Sequence, residues 1–451
     1  MQPKTKINLS LLIAGAFLCM LNQNLISPAL PAIMAEFNLT ADSVQWLSSG
    51  FTLTCALMIP LSAFLIERFP LRNLFTATLA SFCLGSLLLG WGGNFATLLA
   101  GRLLQAAGAG VIMPLVQVIM LESFPVEKRG SAMGMLGLVI AMAPALGPVI
   151  SGVIVDFASW RWLFCTVAGL AIFILLPAFA LLNNNAANSK LHFDVYSLIY
   201  STLGFGGLLY GFSAVSAAGL FSAKVIMALM VGVGALFLFV QRQNQLTEPF
   251  LNLQVLKNSL YKRAVILTMI ANASLAGGTV LLPIFVQNIC GHSVSVSGMI
   301  MAPGALLLGL LNPIAGRIFD KKGIHGLSIC AFTMLTLGTL GFCFLSPDMP
   351  VFWITLLYML RLLGVGLITM PLLTWSLNAV ARELATHGVS VFNTLRQIGG
   401  ALGTALLVAA MQLTDTTATV TGLNNGFALA AAGAALALLL SIKMPGQTNN
   451  N

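Results

Sequence analysis

The chain has 451 residues, 58% hydrophobic and only 7% charged, with a mean hydropathy of +0.96. So little charge excludes a set of soluble domains of that total length, and the formal charge of +9 sits in short loops, where it sets topology rather than drawing in nucleic acid. Seven cysteines lie scattered in apolar runs with no C-x-x-C pair, which indicates neither a disulfide framework nor a zinc site.

Apolar runs of about 20 residues, long enough as helices to cross a hydrocarbon core about 30 Å thick, recur from end to end. They lie near 8–30, 44–66, 73–92, 96–120, 131–155, 161–182, 195–214, 220–240, 264–288, 295–316, 326–345, 351–372, 388–412 and 423–442. Stretches such as "LLIAGAFLCML" do not alternate in polarity, which excludes barrel strands. The first run has the look of a signal peptide without a small-residue cleavage site, and it is expected to stay as span 1. With both termini in the cytoplasm, sixteen of the 21 Lys and Arg fall inside and Arg161 and Lys224 fall outside. Arg102, Arg361 and Arg396 then lie within spans.

The first span contains "LNQNLISPALP", three amides (Asn22, Gln23, Asn24) in a greasy helix. After span 2 comes "AFLIERFPLRNLF", where Glu67 closes one helix and Arg68 and Arg72 flank the next. An acid and bases so placed can latch two helices and be broken when they rock apart. Arg102 lies six residues into span 4, about 9 Å at 1.5 Å per residue, where an unpaired cation costs about 3 kcal/mol or more. It therefore needs partners. Span 5 reads "GLVIAMAPALGPVISG", in which Gly137, Gly147 and Gly152 permit close helix contact and Pro144 and Pro148 bend the helix. The loop after span 10, "GRIFDKKGIHG", repeats the earlier loop at an offset of about 253, with Gly316, Asp320, Lys321 and Gly323. Arg361 follows in span 12 and Arg396 in span 13, within "NTLRQIGGALGTA". The repeat implies two six-span halves, 1–184 and 259–451, joined by a linker of two extra spans, 185–258.

These motifs resemble the major facilitator superfamily, and within it the fourteen-span drug:proton antiporters. The resemblance implies an all-α integral membrane protein of the major facilitator fold, two six-helix bundles plus two linker helices. It also implies a monomer in the bacterial inner membrane that exports amphipathic drugs or metabolites in exchange for protons by alternating access. Glu67, Arg68, Arg72, Gly316, Asp320 and Lys321 then belong to the gating loops, Gly147, Pro148 and Gly152 to the exporter motif of span 5, and Arg102 with Gln105 to the motif tied to proton transfer. The family's span-1 aspartate falls on Asn22, an amide, which does not carry a proton. All twelve acids lie in loops or at span ends.

Three readings of the buried arginines stay open. They take carbonyl and amide partners, Arg102 from Asn22, Asn24 or Gln105, with Arg396 packing beside Asn393. Alternatively Arg102 and Arg361 form a cationic floor for an anionic or zwitterionic substrate. In the third, coupling runs through a peripheral acid, Asp42, Asp156 or Glu122. The rival functions are a facilitator or anion-coupled carrier using Arg102 and Arg361, and a non-transporting membrane sensor. With no G-x-x-x-x-G-K-[ST], H-E-x-x-H or G-x-S-x-G, no enzyme activity, metal or cofactor is expected. The partners expected are the small-molecule substrate, protons and the lipid bilayer.

Overall fold

In hydrocarbon every backbone polar group must find its partner within the segment, so the apolar runs have only the helix open to them. The structure, a computed structural model, describes residues 3–182, 193–412 and 419–444, with the side chains at 3–5, 41, 42, 145, 148, 156 and 216–218 left aside. Among the described residues fourteen helical runs are long and apolar enough to cross a membrane, and there is no strand. They are α1 (Pro3–Leu25), α2 (Ala41–Arg68), α3 (Leu71–Trp91), α4 (Phe95–Ser123), α5 (Arg129–Phe157), α6 (Arg161–Leu181) and α7 (Val195–Ala218), followed by α8 (Ala223–Gln245), α9 (Ser259–Ile284), α10 (Val294–Lys322), α11 (His325–Gly341), α12 (Val351–Asn378), α13 (Ala385–Gln412) and α14 (Val420–Ile442). The expected linker boundary at 184/185 lies outside the described residues, as do the side chains of Pro148, Asp42 and Asp156.

Several ends follow from local chemistry. Thr40 and Ser293 each cap a helix by accepting from the backbone N–H three residues on, and Asn258 accepts from both Leu260 and Tyr261. Gly323 ends α10 at φ +75°, a conformation that a side chain resists. The first span extends past the expected 8–30, to Phe37. After Leu25 a single turn, Ser27–Ala29, leads into a short helix, Leu30–Phe37, with proline in the first turn of each piece, where its missing N–H leaves no bond unmade.

The chain divides into two compact units. One comprises Met1–Ser123, Val139–Ile199 and Arg242–Asn252, the other Phe124–Leu138, Tyr200–Gln241 and Leu253–Asn451. In the first, α4 is the central helix, packed on α1, α2 and α3 and buried along most of its length. Small residues make that approach possible, as at Gly108, where a Cβ would run into the Thr78 carbonyl. The start of α7 and the end of α8 also belong here: Phe64 stacks on Phe250 with centroids 5.6 Å apart, and Asp194 pairs with Arg242 at 3.0 Å. In the second unit α12 takes the central place between α10, α11 and α9. Its core holds Leu281, Phe285, Ile300 and Tyr358, with Phe342 stacked on Phe427 at 4.9 Å. The far ends of α7 and α8 meet α13 there through Val215, Val225 and Ala405.

Candidate functional site

In the first unit the buried polar groups of four helices form one network. Arg102 on α4 is 0% exposed. Its Nε donates to the Leu47 carbonyl of α2 and its Nη1 to Gln105 Oε1, both at 2.9 Å, and the Phe51 ring lies 4.2 Å from its Cζ. Asn22 of α1 donates to the same Gln105 oxygen at 3.0 Å, while Gln105 Nε2 donates to Ser86 of α3 at 2.8 Å. Each donor to Gln105 therefore comes from a different turn or helix. Arg102 Nη2 is buried without a hydrogen-bond partner among the described residues. Asn24 stands apart, its amide bonded back to the Met20 carbonyl of its own helix.

In the second unit Arg361 on α12 is 1% exposed and reaches α9, where its Nε and Nη2 donate to the Ser274 hydroxyl at 3.3 and 3.0 Å and Nη2 also to the Ser274 carbonyl. Gly278, one turn on, leaves the hole that the guanidinium fills; a Cβ there would collide with Nη1. Arg396 on α13 is half-buried and lines a small pocket with Thr268, Asn272 and Thr369, and Asn272 donates to the Arg396 carbonyl at 2.8 Å. Asn393 bonds back to Val389 of its own helix at 3.0 Å.

Helix packing fixes which positions of the two halves correspond. A Cβ on Gly85 would meet the Gly101 carbonyl and the Gln105 N–H; a Cβ on Gly338 would meet the Leu357 carbonyl and the Arg361 N–H. Gly108 abuts the Thr78 carbonyl as Gly364 abuts that of Ala331, and Gly110 abuts Cys55 as Gly366 abuts Leu308. Gln105 therefore corresponds to Arg361, and Arg102 to Tyr358. The two buried cations are not equivalents.

The second loop copy is built around Asp320. Its Oδ1 accepts from the Gly130 N–H at 2.8 Å, and its Oδ2 accepts from the Ser131 N–H at 2.7 Å and from the Ser131 hydroxyl. A carboxylate thus sits on the N-terminus of α5, where the unpaired N–H groups and the helix dipole favour an anion. Gly316 lets the helices approach this closely, since a Cβ there would strike the Gly130 carbonyl. Nearby, Arg129 Nη1 donates to Asn378 at 2.8 Å. Lys321 is exposed. In the first copy Glu67, Arg68 and Arg72 are half-buried and Arg72 lies 4.5 Å from the Phe179 ring. On α5, Gly147 is needed for packing, a Cβ there falling 2.8 Å from that of Asn24, whereas Gly152 has open space around it. Glu122 is exposed at the end of α4.

Sequence reasoning does not find Ser86, Ser274 or the hole at Gly278. The signal that could find them is the repeat itself: once Gly85 is set against Gly338, the residues beside Gln105 and Arg361 come into view. Nor does it find Glu36, which accepts from Trp160 Nε1 at 2.7 Å and pairs with Arg161 at 2.5 Å within "SWRWLF".

Comparison with known proteins agrees with this architecture. The family model described as Major Facilitator Superfamily matches residues 12–404. The MFS-type transporter YcnB of Bacillus subtilis is 42% identical over 96% of this chain and 94% of its own. The lincomycin resistance protein LmrB of the same organism is 36% identical over 90% of this chain and 85% of its own. Among solved structures, the human organic anion transporter MFSD10 (TETRAN) superposes with a TM-score of 0.70 at 14% identity, covering 98% of this chain and all of its own, a likeness of fold alone. Matched by the family model from residue 12 to 404, and aligned nearly end to end with YcnB, this chain belongs to the Major Facilitator Superfamily.

Proposed function

We propose that the protein exports small amphipathic drugs or metabolites across the bacterial cytoplasmic membrane by alternating access, with proton exchange driving the cycle. The observation that carries the reading is Asp320 seated on the first N–H groups of α5. A charge-assisted clamp of this kind holds one arrangement of helices and is lost as a unit when they move apart, which gives the cycle a discrete state to leave. Relatives named for lincomycin resistance supply the substrate class. Asn22 does not carry the exchanged proton, because an amide has no titration near neutral pH. The proton is carried instead by a carboxylate at a span end.

Everted membrane vesicles that accumulate lincomycin or a fluorescent dye under an imposed pH gradient test this directly. Accumulation is expected, with a several-fold slower rate after the gradient is collapsed. Equal rates with and without the gradient rule out proton exchange, and no movement of any compound in a broad panel rules out export. In Asn22→Asp, coupling is expected to strengthen, since a carboxylate then stands beside Gln105 and Arg102.

A further inference from the structure

In the second unit α9 and α14 run side by side and antiparallel. Three contacts fix their register: Arg263 Nη1 donates to the Lys443 carbonyl at 3.2 Å, a Cβ on Gly433 would lie 3.7 Å from the Ile270 side chain, and one on Gly426 would lie 3.1 Å from that of Leu281. The start of α9 therefore meets the end of α14, and the cations of both helices collect there. Lys262, Arg263 and Lys443 are all exposed. The first two lie within about 6 Å of the start of one span, at 1.5 Å per residue, and the third lies just past the end of another. That is the level of the lipid head groups.

Nothing in the chain answers this charge. The two lysine side chains donate no hydrogen bond, and none of the three cations enters an ion pair, among the described residues. Neither α9 nor α14 contains an acid. Arg263 already covers the carbonyl end of α14, where a helix is most negative, so the seam end presents positive potential only. Loop charge that merely orients a span has no need to converge on one seam.

Beneath the cations the surface is aliphatic. Ile266 follows Lys262 by four residues on α9, and Leu439 and Leu436 precede Lys443 by four and seven on α14, so each lysine heads a stripe on one face of its helix. All three apolar side chains are about half exposed. A free anion has use for the cations and none for these stripes; a lipid has use for both.

We infer that the end of the α9–α14 seam binds an anionic phospholipid, its phosphate among Lys262, Arg263 and Lys443 and its acyl chains along Ile266, Leu439 and Leu436. The guanidinium, anchored by one Nη1 bond, keeps donors for the phosphate oxygens. The ammonium of a zwitterionic head group finds no carboxylate here, so the site selects for net negative charge. Binding at the seam bridges α9 and α14, and it is independent of what the protein transports.

The probes are phosphatidylglycerol, phosphatidylcholine with the same acyl chains, and inorganic phosphate, each added to the purified full chain in detergent. Bound lipid is counted by native mass spectrometry, and the thermal unfolding midpoint is followed in parallel. Phosphatidylglycerol is expected to be retained and to raise the midpoint, and the other two to do neither. Exchanging Lys262, Arg263 and Lys443 together for Gln should weaken its binding at least about tenfold, since each cation near a head group contributes on the order of a fivefold gain. Exchanging Lys6, Lys128 and Arg382, exposed cations of other segments, should leave binding unchanged. Lys262→Gln alone alters a side chain with no hydrogen bond or ion pair to lose, so it reads the site even where the triple variant folds poorly, and a severalfold weakening is expected. Equal retention of phosphatidylcholine, a midpoint raised as far by inorganic phosphate, or the same loss in both triple variants overturns the inference, as does a Lys262→Gln chain that binds like the unaltered protein.

Discussion

On α4 the cation stands one turn before the packing position and shares it through an amide; on α12 the cation occupies that position itself. Arg102 and Asn22 both donate to Gln105, which passes on to Ser86, so the charge is spread over α1, α2, α3 and α4. Arg361 depends on one residue of α9, Ser274, and on the absence of a side chain at Gly278. The surrounding glycine contacts are the same in both halves, at Gly85 and Gly338, Gly108 and Gly364, Gly110 and Gly366. Packing was kept between the repeats while the polar residues were redistributed upon it. A distributed network fails at its shared member, and a single socket fails at its walls.

The largest effect is therefore expected at Gln105. Replacing it by Leu leaves Arg102 Nη1, the Asn22 amide and Ser86 without their partner in a buried site, a loss of about 3 kcal/mol or more, read as a lower midpoint of thermal unfolding of the purified protein. Arg361→Gln, which gives the second half the residue of the first, is expected to cost about 1 kcal/mol, since Ser274 still finds a donor. An equal loss in the two variants breaks the comparison. Gly278→Ala comes next: its methyl displaces the guanidinium from the socket, an overpacking cost of about 1 to 3 kcal/mol, and Arg361→Met in the same chain should recover part of it. At Asp320, Asn keeps one acceptor and loses the charge facing the α5 dipole, about 1 kcal/mol. Its sharper readout is a shift in labelling of a single cysteine placed at Ser131 toward the accessible form.

Much of this architecture is legible in the sequence, because bilayer thickness imposes a length on each apolar run. The fourteen candidate spans among the described residues are visible for that reason, and so is the need of Arg102 for carbonyl and amide partners, which follows from the cost of a bare cation in hydrocarbon. Span ends are less visible: the first span runs on to Phe37, through the single turn Ser27–Ala29 and the short helix Leu30–Phe37, because Pro28 and Pro31 stand in first turns, where they leave no bond unmade. That Gln105, and not Arg102, stands opposite Arg361 in the repeat is not legible, since close contacts are set by glycines whose significance appears only in three dimensions. Asn24 looked like a network member beside Asn22, yet successive residues on a helix point about 100° apart, and two positions on it faces its own backbone instead.

The smallest effect expected is at the partly exposed pair that ties the start of α7 to the end of α8, and it sharpens the contrast by being the one that titrates. Arg242 donates to both oxygens of Asp194 at 3.0 Å, with side-chain exposures of 36% and 17%, and Ser197 donates to the same carboxylate. The guanidinium, more than the serine, holds the Asp194 carboxyl below its ordinary range, against the opposing effect of burial. A carboxyl whose pKa is depressed on folding adds stability that is full above the unfolded value, about 3.9, and fades as the pH falls through the folded value. The unfolding midpoints of the unaltered protein and of Arg242→Met should thus differ at neutral pH by what a solvent-screened pair is worth, about 1 kcal/mol or less. They should converge as the pH is lowered below about 4. Gln105→Leu compared with the unaltered protein should show no such convergence, because the amides that hold Arg102 carry no titrating proton in that range. A gap at Arg242 that widens on acidification would remove Asp194 as its partner, and a gap at Gln105 that closes would mean a carboxylate takes part in the α4 network.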